Sequence, residues 1–458
     1  MAKQSGLGDA FFVSGVDLSG DTASLGEIGG SIGLIDVTGI NKSAFERIGG
    51  IRDGRIEWVS HFNDATSQEH PTLSTLPTTD RILTYCRGTT LGNPAASLVG
   101  KQLNYDATRA DDGKLTFAVR AEANAFGIEW GKQLTAGKRT DTTATNGTAV
   151  EFGYDGEDFL FLPGTSGNTA TTPDAASLDI VGDIDLRARI AADDWTPAAE
   201  DYVIAKYTTT GNQRSYALTI DTTGVLVFRW SNDGTAALSA SSTAATGFTD
   251  GTTHWIRATL DVDNGAAGKT VTFYTSEDGV TWTQLGTAVT TGGTTSIFAG
   301  TGVLEIGGRD AGTAELFAGK FFRGQVLSGI AGTSVAAPIA STSTNSVGDA
   351  TPLTWTVNGT AYISSHTTNG LQAYLQAFAL TGTSYTVTLQ HSHDNGGTDA
   401  FAAITGAAFT AVSSVPTTER IATAAIEIKR YVRAVTTGTF TNAVFNVNAS
   451  VNITSTVF

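Results

Sequence analysis

The chain has 458 residues, a formal net charge of −16, 53 glycines, one cysteine and one methionine. This length holds about two to four domains, each able to bury a core, and lone Cys86 excludes an internal disulfide framework or cysteine-based zinc site. The net charge is −4 over residues 1–152, −11 over 153–333 and −1 over 334–458; without a basic stripe, tight nucleic-acid binding is excluded.

Glycine, threonine and short alternating apolar runs favour strands joined by turns, so the expected class is all-β. No apolar run reaches the roughly 18 residues of a membrane helix. Met1 to Ser5 lead into nothing resembling a signal peptide, so assembly in a bacterial cytoplasm is expected.

In residues 1–152 the glycine-rich start, Gly6 to Val13, reads as a short strand with too little apolar area to order itself except on a neighbouring subunit. Arg55 to Phe62 alternates, placing Ile56, Trp58 and either Ser60 or Phe62 on one strand face. His70 to Leu76 predicts one or two helical turns with Pro71 at an early position, and Arg81 to Arg87 a further strand. Ser97 to Thr108, the turn Ala110-Asp111-Asp112-Gly113 and Lys114 to Glu122 predict a hairpin with Leu115, Phe117, Val119 and Ala121 inward.

Two stretches, Phe45-Glu46-Arg47-Ile48-Gly49-Gly50-Ile51-Arg52-Asp53-Gly54 and Asp112-Gly113-Lys114-Leu115-Thr116-Phe117, carry a resemblance. Through them residues 1–152 resemble the tail tube (major tail) proteins of long-tailed bacteriophages. The resemblance implies a twisted sheet or barrel with one short helix. It also implies homo-hexameric rings stacked into a tube, contacts with other tail proteins, and genomic DNA passing through the channel without specific binding. Loops and termini linking successive rings would include Leu134 to Arg139 and the segment 138–152.

Residues 153–333 begin with Ser177 to Ile190, which reads as two strands, and Tyr216 to Ile220 with Gly224 to Trp230, a hairpin. The strings Phe248-Thr249-Asp250-Gly251-Thr252-Thr253-His254-Trp255-Ile256-Arg257 and Val271-Thr272-Phe273-Tyr274-Thr275-Ser276-Glu277-Asp278-Gly279 follow, and Gly319 to Val326 would close the sheet. This succession is similar to the laminin-G and concanavalin-like lectin superfamily, and implies a jelly-roll β-sandwich. Carbohydrate could stack on Trp195, Tyr207 or Trp282, while Trp230 and Trp255 read as core. Asp261, Asp263 and Asp310 could offer calcium oxygens, but surface turns also collect aspartates. No pair of carboxylates has the spacing of a glucanase on this scaffold.

Residues 334–351, rich in Ser, Thr, Ala and Pro, read as a linker. Residues 352–458 read as a second small β-sandwich, resembling modules at the ends of phage tail proteins, with strands at Gln372–Leu380, Tyr385–Ser392, Glu419–Ala424 and Tyr431–Val435. His391 and His393 share a strand face with no third ligand evident, so they read as solvent-facing and no metal is expected. Neither a nucleophile elbow nor a phosphate loop occurs. The combined expectation is a non-enzymatic virion protein without cofactors, the major tail tube subunit with outward decorating domains. The alternative is a minor tail or capsid decoration protein that binds host-surface glycans.

Overall fold

Alternating apolar and polar side chains produce strands almost everywhere. The structure, a computed structural model, describes residues 8–152, 157–397 and 399–452, and among these one five-residue α-helix and one 3-10 turn are the helical elements. The fold class is all-β, with antiparallel sheets forming sandwiches. Residues 1–154 and 366–458 make one compact unit, and 155–365 make another.

In the first unit a sheet runs from Ala10–Val13 through Arg81–Cys86, Pro94–Gln102, Glu129–Gln133 and Tyr431–Val451 to Leu371–Ser392. Leu115–Ala123 branches from it, pairing with Pro94–Gln102, Arg55–His61 and Asp106–Arg109. The inward residues Ile56, Trp58, Phe117, Val119 and Ala121 close over Phe11, Val13, Leu83 and Leu98 to form one core. The helix Glu69–Leu73 drops Leu73 into that core, and Gln102 Nε2 donates to the Leu73 carbonyl at 2.8 Å, satisfying an acceptor at the helix end.

A second core lies around Leu371–Ser392 and Tyr431–Val451, which pair along almost their whole length. Strands of 22 and 21 residues are far longer than the usual run of about 5–6. Both bend at a glycine, Gly382 with φ +138° and Gly438 with φ +132°, where the register shifts or is about to shift. A Cβ at Gly382 would lie 2.5 Å from Phe440 Cα, and one at Gly438 would lie 2.4 Å from the Ser384 carbonyl oxygen. The bend therefore needs glycine twice, for backbone conformation and for space.

The second unit is a β-sandwich. One sheet orders Leu238–Ala245, Val225–Trp230, Gln213–Ile220, Asp201–Thr208, Leu304–Ile306, Ala170–Thr172 and Thr356–Val357. The other includes Gly268–Ser276, Thr253–Asp261, Ile184–Ala192, Ala318–Ser328 and Phe159–Pro163. Leu186, Ile190, Ile256, Phe273 and Phe321 from one sheet meet Leu218, Ile220, Phe228 and Ile306 from the other in a common core. Buried charges here have partners: Lys206 donates to Asp174 Oδ1 at 2.6 Å and to the Gly300 carbonyl, and Asp185 is gripped by Arg187 and Arg257.

Asp201 is a buried carboxyl of the opposite kind, pushed up to about 7 by burial, with further upward contributions from Asp194, Asp193 and Glu200 against an opposing Ala318 hydrogen bond. A folded value raised above the ordinary 3.8 means that the stabilising contribution is present below that pH and is lost as pH rises through about 7. Asp201→Asn is therefore expected to melt above the native protein at pH 8 and level with it near pH 4. An equal shift at both pH values in parallel melting curves would refute this.

The division of the chain corrects several expectations. Residues 334–351 are not a linker: Thr333–Ala336 and Pro338–Ser341 pair with Ala318–Ser328, and Ser346–Asp349 pairs with Pro338–Ser341. The buried side chains of this Ser- and Thr-rich stretch, Ala336, Ala340 and Val347, are mostly small and easily overlooked. Residues 352–458 are not a separate sandwich, because Thr356–Val357 and Tyr362–Ser364 belong to the second unit and the remainder to the first. The segment 138–152 and its neighbour Leu134 are not linking loops either. Arg139–Asp141, Thr145–Asn146 and Val150–Glu151 all pair with Tyr431–Val451. Ala10–Val13 is buried in the first sheet rather than waiting for a neighbour, while residues 1–7 lie outside the described residues. Ser177–Ile190 contributes one strand and the 3-10 turn Ala176–Leu178 instead of two strands.

Candidate functional site

The largest run of uncovered apolar side chains in the described residues lies on an arm in the first unit. Thr22–Gly29 pairs with Arg55–His61 at the sheet, and the same hairpin continues outward as Ile32–Asp36 paired with Arg47–Arg52. At the root the two strands approach closely, since a Cβ on Gly30 would lie 2.1 Å from the Asp53 carbonyl oxygen, and a third segment crowds them, since one on Gly54 would lie 2.5 Å from Ile128 N. The Asp53 N–H donates to the Ser31 carbonyl at 2.9 Å, so the hydrogen-bonded ladder bridges the root.

Cross-strand partners share a face in antiparallel pairing. Ile35 stands opposite Ile48 on one face, and Leu34 opposite Gly49 and Asp36 opposite Arg47 on the other. Both faces are bare. Ile32, Leu34, Ile35, Ile48 and Ile51 are each more than half exposed, and at the tip Ile40 is fully exposed and Phe45 69% exposed. The tip is nevertheless ordered by polar contacts. Lys42 pairs with Glu46 at 2.8 Å, the Glu46 N–H donates to Thr38 Oγ1 at 2.8 Å, the Thr38 N–H donates to Asp36 at 2.9 Å, and the Arg47 guanidinium lies 4.6 Å from the Phe45 ring centre.

A two-stranded ribbon alone is marginal in water, and uncovered apolar area on two faces makes it more so. Glycines at 26, 29, 30, 33, 39, 49 and 50 interrupt the apolar residues here, so the sequence marks neither these strands nor the fact that nothing among the described residues covers them.

The expected sugar platform does not form. Trp195 is 1% exposed in the sandwich core, with its ring against Phe248 at 4.9 Å, and Tyr207 is 3% exposed beside Tyr202 at 5.9 Å. A buried face cannot stack on a pyranose, so neither residue is available. Trp282 is half-buried at the sheet surface, but its ring is covered by the guanidinium groups of Arg187 at 5.6 Å and Arg257 at 5.4 Å. The three are not brought together around a common cavity.

The histidines also differ from expectation. His391 and His393 are buried rather than solvent-facing. Burial, with Lys429 adding to it, pushes the His391 imidazole down to about 4, and its Nδ1 accepts the Lys429 N–H at 3.3 Å. His393 Nε2 lies 3.5 Å from the Glu427 carboxylate. His391 lies in the strand Leu371–Ser392 and His393 just beyond its end, and strand phase alone does not tell which face is covered. Among the described residues no group of three His, Cys, Asp or Glu side chains is placed to hold a metal, and no helix is long and apolar enough to cross a membrane.

No protein-family model matches the chain, and no curated protein matches it. Among solved structures it is similar to the CBM40 of a Ruminococcus gnavus IT-sialidase bound to α2,3 sialyllactose, at 17% identity over 40% of this chain and 90% of that chain, with a TM-score of 0.27. It is similar to a heptameric SAP-like pentraxin from Limulus polyphemus, at 15% identity over 38% and 76% of the two chains and a TM-score of 0.27. It is also similar to the SPP1 Dit protein, described as a paradigm of the hub adsorption apparatus in phages infecting Gram-positive bacteria. That match has 10% identity over 69% of this chain and 99% of the other, with a TM-score of 0.19.

Proposed function

We propose that the protein is a structural, non-catalytic virion subunit that assembles with copies of itself: the major subunit of a phage tail tube, in stacked hexameric rings that meet other tail proteins and let DNA pass without specific binding. The observation that carries this reading is the arm, whose two bare apolar faces need a partner. Of the two stretches through which residues 1–152 resemble tail tube proteins, Phe45 to Gly54 contains the returning strand of the arm. The acidic sandwich would sit outside the tube as a solvated appendage.

The test uses the full chain. Sedimentation and negative-stain microscopy of the native protein are expected to find rings or longer stacks. Ile35→Asp with Ile48→Asp, two exposed positions on one face of the arm, is expected to leave a monomer of about 47 kDa with an unchanged circular dichroism spectrum. A native protein that stays monomeric at all concentrations would overturn this reading, and glycan binding on an array would then favour a host-binding decoration protein.

A further inference from the structure

The arm implies a receiving surface, and the same unit carries one that fits it. Among the described residues Asp106–Arg109 pairs only with Leu115–Ala123, and all four of its residues are exposed, so its other edge offers N–H and C=O groups that no described strand pairs. Exposed large apolar side chains lie on the segments around it: Leu103 three residues before Asp106, Leu76 three residues after Leu73, and Phe62 across the strand Leu115–Ala123, its N–H donating to the Leu115 carbonyl.

The helix Glu69–Leu73 ties their segments together. The His70 ring lies 5.0 Å from that of Phe62, and His70 Nδ1 is 3.0 Å from the Tyr105 hydroxyl. Gln102, next to Leu103, donates to the Leu73 carbonyl, and Leu76 follows three residues later. Beneath the surface Tyr105 stacks on Phe117 at 4.1 Å and donates to buried Glu69 at 2.8 Å, so the patch rests on a fixed floor.

We propose that this patch and the free edge of Asp106–Arg109 receive the arm of a second copy of the chain, one of whose two strands, Ile32–Asp36 or Arg47–Arg52, adds to the sheet. The inference rests on the self-assembly reading and specifies where the arm lands. Three observations select the occupant. Two unpaired edges on one chain complete each other's hydrogen bonding when two copies meet. The arm, with Lys42, Arg47 and Arg52 against Asp36 and Glu46, carries one excess positive charge, while residues 103–114, with Asp106, Asp111 and Asp112 against Arg109 and Lys114, carry one excess negative charge. The bare side chains run the whole length of the arm, from Ile32 to Ile51, so the surface that covers it must lie along it, as a sheet edge does. Arm and patch are different surfaces, so the contact is head-to-tail and propagates into rings or filaments instead of stopping at a two-fold dimer.

Mixing two defective full-length variants tests it. One has a dead arm, Ile35→Asp with Ile48→Asp, and the other a dead patch, Leu76→Asp with Leu103→Asp. Each alone is expected to be monomeric, and an equimolar mixture is expected to form a dimer that grows no further, because one good arm meets one good patch. If the patch variant assembles as the native protein does, or if the mixture stays monomeric, the proposed landing site is wrong while the self-assembly reading stands. A monomeric native protein overturns both. Circular dichroism confirms that the patch variant is folded; should it not be, the milder Leu103→Ser takes its place with the same outcomes.

Discussion

Asp185→Ala is expected to destabilise the sandwich unit by about 3–5 kcal/mol, the usual cost of leaving a buried charge without its counter-charge. The side chain is fully buried and accepts five hydrogen bonds. Arg187 Nε and Nη2 donate at 3.1 and 2.8 Å, Arg257 Nε and Nη2 at 3.0 and 2.8 Å, and the Ala331 N–H at 3.0 Å. Removing it leaves two guanidinium groups, each at most 15% exposed, facing one another. Burial by itself pulls the Asp185 carboxyl upward, but the hydrogen bonds from Arg187 and Arg257 outweigh it and hold the group below the ordinary 3.8. Its stabilising contribution is therefore present above pH 3.8 and is lost as pH falls through the folded value. Urea unfolding followed by tryptophan fluorescence reads the effect, since five of the seven tryptophans lie between Trp195 and Trp355. A loss below about 1 kcal/mol would show that the arginines find other partners.

The second large effect is at the bend of the long strand pair. Gly382→Val or Gly438→Val asks a β-branched residue to adopt a φ near +135° and puts its Cβ within 2.5 Å of the opposite backbone, where no side-chain rotation relieves the clash. A loss of about 3 kcal/mol or more is expected in the first unit. Hydrogen exchange localises it: amides of Leu371–Ser392 and Tyr431–Val451 should lose protection while Ile184–Ala192 in the other unit does not. Unchanged exchange along the pair would mean that the bend is soft enough to shift register.

Local chemistry was legible. Pro71 near the start of a short apolar stretch marks the helix Glu69–Leu73, and alternation places Phe117, Val119 and Ala121 inward, as observed. Alternation reports that a side chain faces a core; it does not report which strand lies alongside. For that reason the pairing of Arg139–Asp141 and Val150–Glu151 with Tyr431–Val451, some 300 residues away in sequence, could not be read, and the C-terminal segment looked like a domain of its own. The arm was hidden for another reason: Gly33, Gly39, Gly49 and Gly50 break the apolar pattern between Ile32 and Ile51, so no strand signal stands out there. Trp195 and Tyr207 misled for a different reason: an aromatic ring suits a sugar or a core equally, and only packing decides between them.

The discontinuity of the first unit also sets an order on synthesis. At roughly 5–20 residues per second, the ribosome takes about 15–60 s to pass from residue 152 to the strand Tyr431–Val451. During that interval Glu129–Gln133 and Val150–Glu151 lack the partner that completes their sheet, while the contiguous sandwich can already close. The completed fold that carries the arm thus appears only on chains made as far as the strand Tyr431–Val451. Nascent and prematurely terminated chains lack the finished unit with which to join a growing assembly.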